Sequence, residues 1–340
     1  MPLSAPPNRP AHPDAPPDFA EFWRRTLRTV DATDPQVSRY PSMEAEAPSG
    51  VMLDELRFTS LGGEQVWGYA LIHDDDAPRP LIVHGHGYNG ACLIKTHWAE
   101  SGINVIGVDT RGHGRSDALL SYPLSRWGRA LTGIHSPEQS LLRGAVMDLV
   151  QALRVGVELV GEARISRRLF YGFSYAGWLA TMAQGITNRA DLLAVGVPTF
   201  GWREGRRFFS LQGSGGEVNA YLARNPEAEE DVMRVLGYFD PVNVAQLIQS
   251  PTLIGWGRRD AIVPEQTVRA IADLLRCPHE RYSFPISHTE EPLETLWEIF
   301  DQRVQRLALE GAPPEFGDKT PCHLIAEDAA PYNPLFPGIG

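Results

Sequence analysis

At 340 residues, 43% hydrophobic and 21% charged, the chain has the make-up of a soluble globular protein of one large or two small domains. Its formal charge of −11 repels nucleic acid, and no Lys/Arg cluster offsets it: Arg24-Arg25 and Arg167-Arg168 are isolated pairs that read as solvated element ends. Three cysteines, Cys92, Cys277 and Cys322, are odd in number, far apart and without CxxC spacing, which argues against a disulfide framework or a zinc site.

Residues 1–17 are rich in proline and alanine and are expected to form an extended arm. They lack the basic head and apolar core of a signal peptide, and no apolar run approaches the roughly 18 residues that span a bilayer, so a cytoplasmic protein without membrane segments is expected. Asp18 to Leu27 has helical spacing, with Phe19, Phe22, Trp23 and Leu27 on one face and Asp18 placed as N-cap. Val51–Ser60 and Gln65–His73, split by Leu61-Gly62-Gly63-Glu64, read as a β-hairpin at a sheet edge. From residue 80 onward, buried apolar runs alternate with helical stretches. Strands are expected at Pro80–His84, Asn104–Asp109, Leu169–Gly172, Leu192–Val197, Thr252–Trp256 and Arg281–Phe284, and helices around 137–157, 175–187, 264–276 and 289–309. This is the pattern of a mostly parallel sheet covered on both faces. Two insertions, 117–140 and the helical 201–245, interrupt it at strand C-terminal ends, where pockets and subunit contacts are commonly built. Residues 18–310 are thus read as one α/β domain, followed by a proline-rich tail over 311–340.

The chemistry concentrates at Gly172-Phe173-Ser174-Tyr175-Ala176-Gly177, between an apolar strand and a helix. A serine between small residues on such a turn is exposed on a strained backbone, and its neighbours two positions away must be small for strand and helix to pass. A base and an orienting acid are then required downstream. Asp260 lies just past the strand Thr252–Trp256, and His288 just past Arg281–Phe284, in the order serine, acid, histidine. Asp260 alone also reads as a cap for a helix beginning near Pro264, and His288 as a polar residue at a helix start. Three residues in the required order, each at a strand end, favour a catalytic triad in which His288 takes the Ser174 proton and Asp260 orients it.

Acyl transfer also needs donors for a developing oxyanion. The backbone N–H of Tyr175 supplies one, and the loop His84-Gly-His-Gly-Tyr-Asn-Gly90 is expected to supply a second through Tyr88. Tyr88, Trp178 and Pro198 are the candidate pocket residues. Histidines 84 and 86 at i, i+2 point to opposite faces and have no acidic or thiol partner close in sequence, so a buried, hydrogen-bonded His84 is preferred to a metal site. Asp109-Thr-Arg-Gly-His-Gly-Arg-Ser-Asp117 lacks the Gly-Lys-Ser/Thr of a phosphate loop and reads as a tight turn in which Asp109 and Arg111 pin the loops.

Taken together, residues 16–305 resemble the α/β-hydrolases, and more narrowly the acetyl xylan esterase/cephalosporin C deacetylase family. The resemblance is carried by the helix Asp18-Phe-Ala-Glu-Phe-Trp23, His86-Gly-Tyr-Asn-Gly90, Arg111-Gly112, Arg143-Gly144, Gly172-x-Ser174, Tyr238-Phe-Asp240, Asp260 with Pro264, and His288. It implies Ser174, Asp260 and His288 as triad, Tyr88 and Tyr175 as oxyanion donors, deacetylation of small acetylated sugars and related esters, and subunit packing through 117–140 into a homo-oligomer; no cofactor or metal is expected. Three positions depart from the family: His113 stands for its Gln in Arg-Gly-Gln, Tyr175-Ala176 for Gln-Gly, and Thr289 for Glu after the histidine. The expectation is a serine esterase of short acyl esters, acting on a small-molecule substrate and on neither nucleic acid nor membrane. The rival readings are the same triad on an amide, lactone or longer ester, and a catalytically silent binding protein.

Overall fold

The computed structural model describes residues 11–42, 44–289, 293–313 and 316, so most of the N-terminal arm, the residues just after Thr289, Cys322 and nearly all of the tail lie outside it. The strands are β1 (Ser38–Pro41), β2 (Val51–Thr59), β3 (Gln65–His73), β4 (Arg79–His84), β5 (Asn104–Asp109), β6 (Ile165–Phe173), β7 (Leu192–Gly196), β8 (Thr252–Gly257) and β9 (His279–Phe284). They form one sheet in the order β1-β2-β3-β5-β4-β6-β7-β8-β9. The first four pair antiparallel, and from β5 onward every pair is parallel. The expected hairpin is β2–β3, but β1 pairs outside it, so the hairpin is not the sheet edge.

The α-helices are α1 (Phe19–Ala32), α2 (Thr96–Glu100), α3 (Leu141–Val160), α4 (Tyr175–Thr187), α5 (Arg203–Phe209), α6 (Gly213–Arg224), α7 (Glu229–Gly237), α8 (Glu265–Ala272) and α9 (Leu293–Glu310). β4, β5, β7 and β8 are buried almost throughout because helices cover both faces. In β6 the alternation sorts the layers. Gly172 faces α4, whereas the Tyr171 ring packs against Trp98 of α2 at 4.7 Å and the Phe173 ring edge-to-face with Trp297 of α9 at 4.9 Å.

Asp18 precedes α1 as expected but does not cap it with its side chain. Its carboxylate instead accepts the Tyr238 hydroxyl, tying α1 to the end of the 201–245 insertion. Phe22 and Trp23 complete that seam, with Phe22 and Tyr238 rings 4.7 Å apart. The described part of the arm rests on the same insertion: Asp14 N–H donates to Asn243 Oδ1 at 2.8 Å, and the Asp14 carboxylate pairs with Arg203. The insertion, built of α5, α6 and α7, is anchored by Asp240. Its buried carboxylate accepts the backbone N–H groups of Trp202 (2.9 Å), Arg203 (2.7 Å) and Val242 (3.0 Å). Among the described residues, no helix is long and apolar enough to cross a membrane.

Candidate active site

Parallel strands deliver their C-terminal ends to one rim, and β4, β5, β6, β8 and β9 each end in a loop that carries a candidate residue. Ser174 sits between β6 and α4 at φ +54°, ψ −114°, a left-handed conformation that is strained for a residue with a Cβ. Three backbone bonds over-determine it. Ser174 N–H donates to Gly196 O (2.9 Å), and Ser174 O accepts the N–H groups of Trp178 (3.0 Å) and Thr199 (3.2 Å). The turn is so tight that a Cβ on Gly172 would lie 2.4 Å from the Ala176 carbonyl carbon, which is why the position must be bare.

Asp260 and His288 are brought into direct contact. The buried Asp260 divides its oxygens: Oδ1 accepts the N–H groups of Ile262 (3.0 Å) and Val263 (2.8 Å), while Oδ2 accepts His288 N–H (3.1 Å) and takes the His288 ring through Nδ1. Asp260 does not cap α8, which begins at Glu265 with Pro264 at its N-cap; Oδ1 instead closes the loop before that helix, and Oδ2 holds His288. Burial pulls this carboxyl upward, but the His288 ring and the surrounding N–H groups outweigh it and hold the acid below its ordinary range. Gly257 makes the meeting of the two loops possible, because a Cβ there would fall 2.2 Å from Ile286 O. With His288 Nδ1 turned to Asp260, Nε2 is left for another partner. Neither that nitrogen nor Ser174 Oγ forms a hydrogen bond among the described residues.

The loop after β4 holds the other half of the rim. The N–H groups of Tyr88 and Tyr175 both donate to no acceptor among the described residues. The Tyr88 hydroxyl reaches outward to both insertions, donating to Glu217 of α6 and accepting Ala130 N–H at 2.8 Å. Of the three expected pocket residues, Tyr88 alone keeps exposed surface. Pro198 is buried, and Trp178 is turned fully into the core, its Nε1 donating to Phe239 O at 2.8 Å. Tyr175 is likewise fully buried, in a stack with His113 (4.7 Å), Trp178 (5.1 Å) and His86 (5.5 Å).

His84 is buried, with Nε2 against the Tyr69 hydroxyl (2.6 Å) and Nδ1 against Gly85 O (3.0 Å), and burial pushes it down to about 3. His86, a residue of the resembling motif and a disfavoured metal candidate, has protein partners on both its nitrogens. No residue type or spacing announced those contacts, since two of the partners are backbone groups of Gly87 and Thr110. Asp109 pins the loops as expected: its carboxylate accepts Cys92 N–H from the β4 side and Arg115 N–H (2.9 Å) from its own turn. Arg111 holds that turn to α3 through Asp148 (2.7 Å) and to Leu61 O (3.0 Å).

Comparison with known proteins bears on the family and the fold. The acetyl xylan esterase (AXE1) family model matches residues 3–296. The structure of an acetyl xylan esterase from Paenibacillus sp. R4 superposes with a TM-score of 0.78 at 24% identity, covering 91% of this chain and all of that one (100%). Acetyl xylan esterase 1 from Thermoanaerobacterium sp. JW/SL YS485 gives 0.75 at 21% identity, covering 87% and 96%. Among curated proteins, a pimeloyl-[acyl-carrier protein] methyl ester esterase from Shewanella sp. (strain MR-7) is 26% identical over 243 residues, 64% of this chain and 89% of that protein. The two structural likenesses carry the fold; the family match carries the kinship.

Proposed function

The chain belongs to the acetyl xylan esterase family and is a carboxylic ester hydrolase; from that premise we propose that Ser174 is its nucleophile, His288 its general base and Asp260 the acid that orients His288. The observation that carries this is the Asp260–His288 contact, which commits Nδ1 and leaves Nε2 as the one ring nitrogen able to take a proton on the rim where Ser174 stands.

His288 Nε2 removes the Ser174 hydroxyl proton as Oγ attacks the ester carbonyl, and the resulting oxyanion is received by the N–H groups of Tyr88 and Tyr175. Collapse of the tetrahedral species breaks the bond to the alkoxy oxygen, which leaves as the alcohol with the proton from His288. Water, deprotonated by His288, then attacks the acyl-enzyme, and the acid departs with Ser174 restored. Asp260, kept ionised, stabilises the imidazolium in both halves. We take the substrate to be a short-chain ester, acetyl foremost, of a small alcohol or carbohydrate, a reading supported by the family. The same support extends to self-association through 117–140, which light scattering of the purified protein checks.

Turnover of p-nitrophenyl acetate and of acetylated sugars by wild type and Ser174→Ala tests the assignment. The expected loss is about a million-fold in kcat. Substantial activity in Ser174→Ala defeats it, and a preference for acyl chains beyond about four carbons defeats the acetyl reading, since each added methylene is worth only ~1 kcal/mol.

A further inference from the structure

In His84-Gly85-His86-Gly87 each imidazole folds back on the glycine that follows it: His84 Nδ1 lies 3.0 Å from Gly85 O, and His86 Nδ1 lies 2.8 Å from Gly87 O. For His86 the tautomer is fixed from the far side. Thr110 N–H donates to Nε2 at 3.1 Å, with Thr110 Oγ1 also at 3.0 Å, so Nε2 carries the lone pair and Nδ1 the proton. The ring is therefore the donor to Gly87 O. In a trans peptide the carbonyl and the following N–H point in opposite directions. Holding Gly87 O toward the ring thus turns the Tyr88 N–H away from it, and Gly90 N–H closes the turn on the same oxygen at 3.0 Å.

The same ring braces the other donor. His86 is buried, and its ring packs on Tyr175 at 5.5 Å and on His113 at 4.7 Å. His113 in turn lies 4.7 Å from Tyr175 and 5.7 Å from Tyr88. Both residues whose N–H groups would receive the oxyanion are therefore set by one histidine, one through a hydrogen bond to its peptide plane and one through its ring.

We infer that His86 is a positioning residue for ester hydrolysis: as the Nδ1-protonated tautomer it locks the Gly87–Tyr88 peptide with the Tyr88 N–H facing the substrate carbonyl, while its ring braces Tyr175. This rests on the assignment of Tyr88 and Tyr175 as oxyanion donors. His86 itself touches no reacting atom, because both nitrogens are spent on the protein.

Two substitutions of similar packing cost separate this role from a merely structural one. In His86→Asn an amide nitrogen can occupy the place of Nδ1 and still donate to Gly87 O; in His86→Gln the amide reaches the place of Nε2 and that donor is lost. With p-nitrophenyl acetate, His86→Asn should stay within about five-fold of wild-type kcat, whereas His86→Gln should lose about 10- to 100-fold, less than removal of an oxyanion donor outright, with KM little changed in either. Inhibition by a trifluoromethyl ketone, which forms an oxyanion on the serine, should weaken in parallel with kcat. Equal kcat in the two variants, including loss of folded protein from both, overturns the inference. Ser174→Ala run alongside keeps the two failures apart. If it still turns over, the underlying mechanism is wrong; if it is inert while Asn and Gln behave alike, only the role of His86 falls.

Discussion

Ser174 and the Asp260–His288 pair stand on the same rim, at the ends of β6, β8 and β9, yet they are held by different forces. The acid–base side is held by directed hydrogen bonds to a buried carboxylate, four of them converging on Asp260 from Ile262, Val263 and His288. On the nucleophile side Ser174 has its three backbone hydrogen bonds but no buried charge, and the side chains around it are held by contact: Gly172 against Ala176, and Tyr175 wedged among His86, His113 and Trp178. Loss of a buried charge fails in one large step, because the partner groups are left with nothing to bind. Packing fails by degrees, according to the volume added or removed. The two halves should therefore answer to different substitutions and on different scales.

The largest effect is expected on the charged side. Asp260→Asn keeps the shape and the loop contacts of Oδ1 but removes the charge and can leave the wrong His288 tautomer, so kcat should fall about 10⁴-fold with the fold intact. Steady-state kinetics with a parallel thermal melt check this, and a loss under ten-fold would dissolve the pair as catalytic machinery. Next comes the packed side. In Gly172→Ala the new methyl meets the Ala176 backbone at 2.4 Å, so the elbow must shift. About 1–3 kcal/mol of stability and roughly 100-fold in kcat should go together. If stability drops while kcat holds, the position of the elbow does not limit turnover, and contact is not what sets the nucleophile.

The same division explains what could be read before the fold was known. The placement of Asp260 and His288 was legible because each follows a strand by a few residues, and that of Ser174 because a steric rule demands small neighbours. β4, β5 and β8 were legible from their apolar runs, which stay buried on both faces. β1 was not, since all four residues of Ser-Arg-Tyr-Pro are exposed and show no alternation; the β2 pairing, helped by Arg39 and Asp54, holds it. β6 also starts earlier than expected, at Ile165, because Ser166, Arg167 and Arg168 carry polar, partly exposed side chains that hide its first residues from an apolar pattern. Asp240 and His86 stand in the resembling motifs, but their contacts are unreadable in the sequence for a common reason. Their partners are backbone groups on other turns of the chain, and a backbone N–H or C=O leaves no mark in the sequence. Trp178 misled in the opposite sense: a large ring near the nucleophile suggested a pocket wall, but helix α4 turns it to the core and to Phe239 O.

A smaller test probes whether the stack is held neutral. His113 is buried against His86, Tyr88 and Tyr175. Its Nδ1 donates to Arg111 O at 3.2 Å, and its Nε2 has no partner among the described residues. Burial above all, with His86 and Arg129 nearby, pushes it from its ordinary value near 6.5 down to about 2. The folded pKa lies below the unfolded one, so between these values the unfolded chain binds the extra proton and stability falls as pH drops below about 6.5. His113→Gln, which restores the residue expected of the family, removes that term. From pH 7 to pH 5 the variant should lose about 2 kcal/mol less than wild type in urea unfolding, and identical slopes would show that His113 titrates normally.

The smallest effect should come from the residue nearest the nucleophile. The Tyr175 hydroxyl is buried without a hydrogen-bond partner among the described residues, while its ring does the packing and its backbone N–H is the proposed donor. Tyr175→Phe deletes only the unpaired hydroxyl. Stability should therefore hold or rise by up to about 1 kcal/mol, and kcat should stay within about two-fold. A larger aromatic change such as Tyr175→Ala removes the wedge between His86 and His113 and should be costly on both measures, by about 3–5 kcal/mol in stability. A Phe variant with badly reduced kcat but normal stability would move the donor from the backbone to the hydroxyl, and would make the nucleophile side depend on a side-chain hydrogen bond after all.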